Sequence, residues 1–264
     1  MEAGRNENSE PKPIEIDFPE EPVPHLKIGV GACRLRIRPG EAGGRWVSGI
    51  YEDPTGGMPY KVTREGGTVR LTQKQGLATL KSPFAGIPVM DIALGKDKPY
   101  SLAIESGASD TVADLGGLPI NMLLLKKGAG KAAFDFSGPN PAEMEKLDVD
   151  AGAVALTIRN LANANFKEMT LNGGAASYEL DFSGGLKRPA QARINAGAST
   201  VKLSIPGTTA ARIRPGSVIG ALEIGDGLMK KEGAFWTEAA LAGKEPVLDL
   251  NASIALGKLV LEVI

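Results

Sequence analysis

Between Leu102 and Ile205 the chain repeats one short phrase. Gly107-Ala108, Gly128-Ala129, Gly152-Ala153, Gly174-Ala175 and Gly197-Ala198 follow one another at spacings of 21, 24, 22 and 23 residues. Upstream of each pair, apolar residues recur two apart: Leu102/Ile104, Leu123/Leu125, Leu147/Val149, Met169/Leu171 and Ala192/Ile194. Downstream the alternation resumes in Phe134/Phe136, Leu156/Ile158, Leu180/Phe182 and Val201/Leu203/Ile205. Alternation places one face of a strand against a core, and a fixed period of roughly 20–25 residues stacks such strands layer upon layer. The pattern predicts an all-β chain, a β-solenoid or stacked-strand array with a period of about 22 residues.

The phrase extends beyond the block. Leu26-Lys-Ile28-Gly-Val-Gly31-Ala-Cys-Arg-Leu35-Arg-Ile37 has the same order of apolar pair, Gly-Ala and apolar pair. Near the other end, Ala255-Leu-Gly-Lys258-Leu-Val-Leu-Glu-Val263 aligns position for position with Gly128-Ala-Gly-Lys131-Ala-Ala-Phe-Asp-Phe136, the Gly-Lys and the residue character kept and only the Gly-Ala corner pair replaced in kind. This gives about seven rungs. Residues 1–24, rich in Glu, Pro and Asn, are expected to be a flexible polar tether in which 14–18 alternates as one strand. Residues 25–98 form an N-terminal β part, the first rung plus irregular strands, with a hairpin expected across Gly66-Gly67. Residues 99–264 are the repeat part. Within it, 213–216 and 219–224 are expected as turn plus strand, and 225–246 as an insert with helix-like spacing.

Layers about 4.8 Å apart require a corner that each copy can repeat over the last. The expected device is a Gly with φ > 0 followed by a residue with almost no side chain. End layers need caps, expected from 39–98 and from the insert holding Trp236. Register also aligns outward side chains. Seven residues after each Gly stand Arg38, Asp114, Asp135, Arg159, Asp181, Ser204 and Glu262, so that Asp135, Arg159 and Asp181 stack as acid, base and acid. Five residues after the Gly, Glu179 and Lys202 become neighbours. Such a ladder is a solvated charged face, each exposed pair contributing less than ~1 kcal/mol.

A formal charge of −1 over 264 residues offers no basic face for nucleic acid. No apolar run reaches the ~18 residues of a membrane helix, so no transmembrane segment is expected. The polar opening MEAGRNENSEPKP has no leader-like core. His25 is the only histidine, which removes the Ser-His-Asp triad and multi-His metal sites. Cys33 sits at the first corner, a place for a small buried residue. Gly29-Val-Gly31-Ala-Cys-Arg34 lacks the third Gly of a dinucleotide fingerprint, and Gly128-Ala-Gly-Lys131 lacks the flanks of a phosphate loop. Asp114 and Asp135 fall on adjacent rungs, close enough for paired carboxylates, but no aromatic platform for a sugar accompanies them. No catalytic, cofactor-binding or metal-binding residue is assigned, and no cofactor is expected.

The opening rung, the repeated Gly-Ala phrases and the closing 250–263 segment together resemble the bacterial toast-rack domain family. That family is related to the C-terminal domain of cell-wall-active antibiotic response proteins and to adhesins with similar β repeats. The resemblance implies a stacked β array displayed outside the cytoplasmic membrane at the cell surface, with no catalytic residues to carry over. It implies a non-enzymatic binding or structural module of the bacterial envelope, with an envelope protein or polysaccharide as partner. The alternatives are an envelope-stress sensing module acting through protein contacts and, behind it, a carbohydrate-active enzyme.

Overall fold

The computed structural model describes residues 10–74 and 86–264. The chain enters with β1 (Lys12–Ile16), then forms the first rung, split at its corner into β2 (His25–Val30) and β3 (Arg34–Pro39). The following insertion holds β4 (Val47–Glu52), β5 (Tyr60–Glu65), β6 (Thr68–Gln73) and β7 (Val89–Leu94). The regular block is β8 (Tyr100–Asp114), β9 (Ile120–Asp135), β10 (Met144–Arg159), the split rung β11 (Phe166–Gly173) and β12 (Ser177–Asp181), and β13 (Ala190–Ile205). After it come β14 (Ala211–Ile224), β15 (Leu228–Lys231), β16 (Ala234–Thr237), the single-turn helix α1 (Glu238–Leu241) and β17 (Leu248–Val263).

Every rung changes parity at its Gly-Ala pair. In β8, Leu102, Ile104 and Ser106 are buried, and then Ser109, Thr111 and Ala113. In β10 the buried set passes from Leu147, Val149 and Ala151 to Val154, Leu156 and Ile158. A strand that simply continued would turn its second half to solvent. Bending by two residues at the corner brings both arms onto one core. Successive rungs pair in parallel with the corners in register: Ala108 lies on Ala129, Ala129 on Ala153, and Ala198 on Leu256. The inward columns follow, one running Ile28–Ile104–Leu125–Val149–Leu171–Ile194–Ala252 through seven layers. All seven side chains are buried, and each large one contributes about 1.5–3 kcal/mol relative to exposure.

The seven expected rungs are consecutive layers, but both ends depart from chain order. β6 and β7 lie beyond the first rung, on β2 and β3. β17 is inserted between β13 and β14. The described residues thus form nine parallel layers. Antiparallel strands cover the outermost ones: β5 on β6, β4 on β7 with β1 on β4, and β16 then β15 on the start of β14. The 60–73 hairpin forms as expected, with Gly66 at φ 53°. Within the stretch read as a tether, β1 joins the sheet and buries Ile14 and Ile16, and Phe18 stacks on Trp46.

Three local expectations are corrected. The corner glycines 107, 128, 152, 174 and 197 are not left-handed. A Cβ on each would point along the stack axis at the Gly carbonyl of the layer below, which bars one at Gly152 (2.3 Å) and leaves ordinary contact at Gly128 (3.4 Å). Positive φ occurs two residues later, at Gly130, Gly257 and Gly220. The second corner residue faces outward and is free to be large, as Leu256 shows at 59% exposure. Residues 213–216 do not form a turn separate from a strand: β14 runs through them, with register shifts between Pro215 and Gly220. The 225–246 insert is chiefly the β15–β16 hairpin. It holds the one α-helical turn among the described residues, and a second helical turn, of 3-10 type, lies outside it at Leu161–Ala164.

Candidate functional site

Along the corner edge the stack carries an open groove of 770 Å³ floored by Gly107, Gly128, Gly152 and Gly174. Thr72 and Gln73 of β6 bound one end. Past Asn172 and Gly173 a second hollow continues it to Ser217 and Ile219 of β14. Nine layers at ~4.8 Å make the edge about 38 Å long. The glycine column creates the groove, since side chains at the corners would fill it.

The wall is a polar ladder two residues before each corner Gly. Glu105, Lys126, Asp150, Asn172, Asn195 and Ser253 stand in direct register from β8 to β17. Asn195 Nδ2 donates to Asn172 Oδ1 at 3.2 Å, while Glu105, Lys126 and Asp150 form no ion pair among the described residues. Acid, amine, acid and amides thus face solvent in sequence. This column lay in the same alignment as the charged columns read at five and seven residues after the Gly. Its signal was a fixed offset on the other side of the corner.

Behind the groove lies a buried amine. Lys127, 5% exposed, occupies the inward position two after Leu125. Its Nζ donates to the carbonyls of Gly107 (3.3 Å) and Ser109 and to Ser109 Oγ (2.6 Å). Ser109 Oγ and Thr111 Oγ1 are 3.4 Å apart, and Thr111 Oγ1 reaches Ser106 Oγ at 3.5 Å. Burial lowers the Lys127 pKa, against an opposing pull from Asp110. A Ser-Lys pair suggests a nucleophile and its base, but a base needs a free lone pair directed at the hydroxyl. Here the three ammonium hydrogens have three oxygen acceptors, which is the arrangement of a clamp tying β9 to the corner of β8.

The columns after the corner keep the expected register, with Asp114 on Asp135 and Asp181 on Ser204. The side chains do not form an acid–base ladder, because the short carboxylates bind return-loop residues, of their own layer or of the next. Asp114 accepts from Gly116 N (2.9 Å) and Ser137 Oγ (2.7 Å), Asp135 from Asn160 Nδ2 (2.7 Å), and Asp181 from Ser183 N and Oγ. Arg159 makes no ion pair among the described residues, and Arg38 pairs instead with Asp91. Lys202 is in register with Glu179 but bonds Glu262 at 2.8 Å, and Glu262 also accepts from Ser204. The Lys202 hydrogen bond first, then that of Ser204, holds the Glu262 carboxyl below its usual range.

His25 begins β2 at the surface. Burial pushes the Cys33 thiol up to about 12, so it stays protonated and packed in the core. The Gly29–Arg34 and Gly128–Lys131 phrases are strand corners with no helix after them. Among the described residues, no three His, Cys, Asp or Glu side chains are grouped to hold a metal, and no helix is long and apolar enough to cross a membrane.

No curated protein matches the chain. Among solved structures, a candidate cell adhesion protein from Clostridium sporogenes aligns over 97% of this chain and 100% of its own, at 13% identity and a TM-score of 0.49. The family profile described as the N-terminal domain of toast_rack, DUF2154, matches residues 4–159, from the opening segment through the corners of β8, β9 and β10. That match spans more than half of the 264 residues, and the chain belongs to the toast-rack N-terminal domain family.

Proposed function

We propose that this chain is a non-enzymatic binding module of the bacterial cell envelope, and that the corner groove holds an extended polar polymer, an envelope polysaccharide. The observation that carries this reading is the groove itself, open along the edge and walled by an exposed ladder repeating once per layer. Carboxylate, ammonium and amide groups together both donate to and accept from hydroxyls. A repeat of ~4.8 Å presents them at regular steps to a chain that also repeats. The clamped Lys127 and the loop-bound aspartates support a binding role over a chemical one. The envelope location is what membership of this family implies.

Sedimentation of the protein with purified envelope glycans tests it. The parent is expected to co-sediment, and a Lys126→Ala/Asp150→Ala/Asn172→Ala variant to lose at least tenfold in affinity with an unchanged melting temperature. A parent that binds no envelope glycan, or a triple variant that binds as the parent does, overturns the assignment.

A further inference from the structure

The two ends of the stack are finished differently. Among the described residues there are four terminal edges. At the N-terminal end, β1 carries Pro13, which has no N–H to offer and whose carbonyl accepts from the Tyr60 hydroxyl (2.6 Å). β5 exposes Lys61, Arg64 and Glu65. At the C-terminal end, β15 exposes Lys230 and Lys231. Proline and charge, lysine above all, are the usual means of keeping an edge from pairing with another chain.

The fourth edge has Arg214 and Pro215 at its start and neither proline nor lysine beyond them. β14 pairs with β17 on one side, and on the other only Arg212 and Ile213 meet β16. From Arg214 to Ile224 no further strand of the described residues is in register with its outer side. Its segment Ile219-Gly-Ala-Leu-Glu-Ile224 has one charge, and Glu223 is already held by Lys258 at 2.7 Å. Leu222 lies over Leu259 on the core-facing side, yet it is 41% exposed, and Ile219 is 62% exposed. The core simply stops here, with no layer over it.

We propose that this edge is a self-association surface, on which a second copy of this chain adds its own 219–224 strand antiparallel, about a two-fold axis through Leu222 and normal to the sheet. The sequence is complementary to itself in that register. Leu222 meets Leu222 of the other copy, Ile224 meets Gly220, and Glu223 meets Ala221. Each large side chain off the axis therefore faces a small one, and no two like charges oppose each other. The axis keeps Leu222 and Ile224 on the core side in both copies, so each core continues into the other. A head-to-tail array is disfavoured because the N-terminal edge of the same arm carries Pro13, and an isologous contact closes after two copies.

Light scattering on the size-exclusion peak is expected to give twice the chain mass for the parent. Leu222→Lys is expected to halve it, leaving the circular dichroism spectrum that of the parent and removing any concentration dependence of the melting temperature. In a second test, Leu222→Cys forms a disulfide-linked dimer under mild oxidation, while Glu65→Cys at the opposite end does not; buried Cys33 contributes no link. A monomeric parent, a mass growing beyond two chains, or a dimer that neither variant affects overturns the proposal.

Discussion

Replacing Gly152 with Ala separates the two reasons a corner could demand glycine. Gly152 is not in the left-handed region, so an alanine meets no φ penalty there. Its Cβ would instead lie 2.3 Å from the Gly128 carbonyl oxygen, 3.3 Å from the carbonyl carbon and 3.6 Å from Cα. All three are backbone, so nothing can rotate away and the two layers must part by about an ångström. The paired residues on either side, Ala151 on Lys127 and Ala153 on Ala129, lose register geometry with it. Overpacking costs about 1–3 kcal/mol, and weakening two buried backbone hydrogen bonds adds about 1 kcal/mol. Gly128→Ala is the control from the same column: its Cβ meets the Gly107 oxygen at 3.4 Å, an ordinary contact. Stiffening the unfolded chain there offsets any small loss by about 0.4–1 kcal/mol.

For a chain of this length, about 1 kcal/mol moves the melting temperature by roughly 2 °C. Calorimetry is therefore expected to show Gly152→Ala lower by about 4–8 °C and Gly128→Ala within about 2 °C of the parent. Gly107, Gly174 and Gly197, with closest approaches of 3.0, 3.1 and 3.2 Å, are expected to fall between in that order. Equal shifts at 152 and 128 would refute the close-approach argument, and a larger loss at 128 would reverse it.

Two further outcomes follow from the buried amine and the loop aspartates. Lys127→Met is expected to cost about 1–3 kcal/mol at neutral pH, because the Ser109 carbonyl and hydroxyl lose their donor. Since burial puts the folded pKa of Lys127 below 10.5, the unfolded chain binds more protons between those two values. The stability of the parent relative to the Met variant should rise with pH through that interval, as urea midpoints in a pH series will show. Asp114→Asn, Asp135→Asn and Asp181→Asn are each expected to cost less than ~1 kcal/mol, the amide oxygen still accepting from the return loop. No divalent ion is expected to raise the melting temperature of the parent; a calcium-dependent rise abolished by Asp135→Asn would contradict this.

The regular block was readable because stacking imposes one condition repeatedly. A parity change and a small residue must recur at a spacing set by two arms and a return loop, and β8 to β13 meet it. The charged columns show where register stops being informative. Asp114, Asp135 and Asp181 lie where alignment puts them, but each carboxylate is taken by return-loop residues (Gly116 and Ser137, Asn160, Ser183) and not by the outward side chain stacked beside it. The end layers were illegible for a different reason. β17 between β13 and β14, and β6 with β7 beyond the first rung, are pairings between segments that do not follow one another, and spacing encodes only succession. Both ends of any such stack need caps, but which edge stays bare depends on that unseen order.

The closing rung shows what the corner selects for. Aligned with Gly197-Ala198, it carries Ala255-Leu256, and still pairs with β13 across the corner. An alanine in the first position would be barred if every corner needed a left-handed residue, and a leucine in the second if every corner needed a small one. Neither is barred. What β17 does retain is Gly257, at φ 139°, whose added Cβ would fall 1.9 Å from the Ser199 carbonyl oxygen. The strict requirement has moved two residues along the strand, to the point where this layer comes nearest its neighbour. Glycine in this stack marks backbone approach between layers, wherever along the corner that approach is tightest.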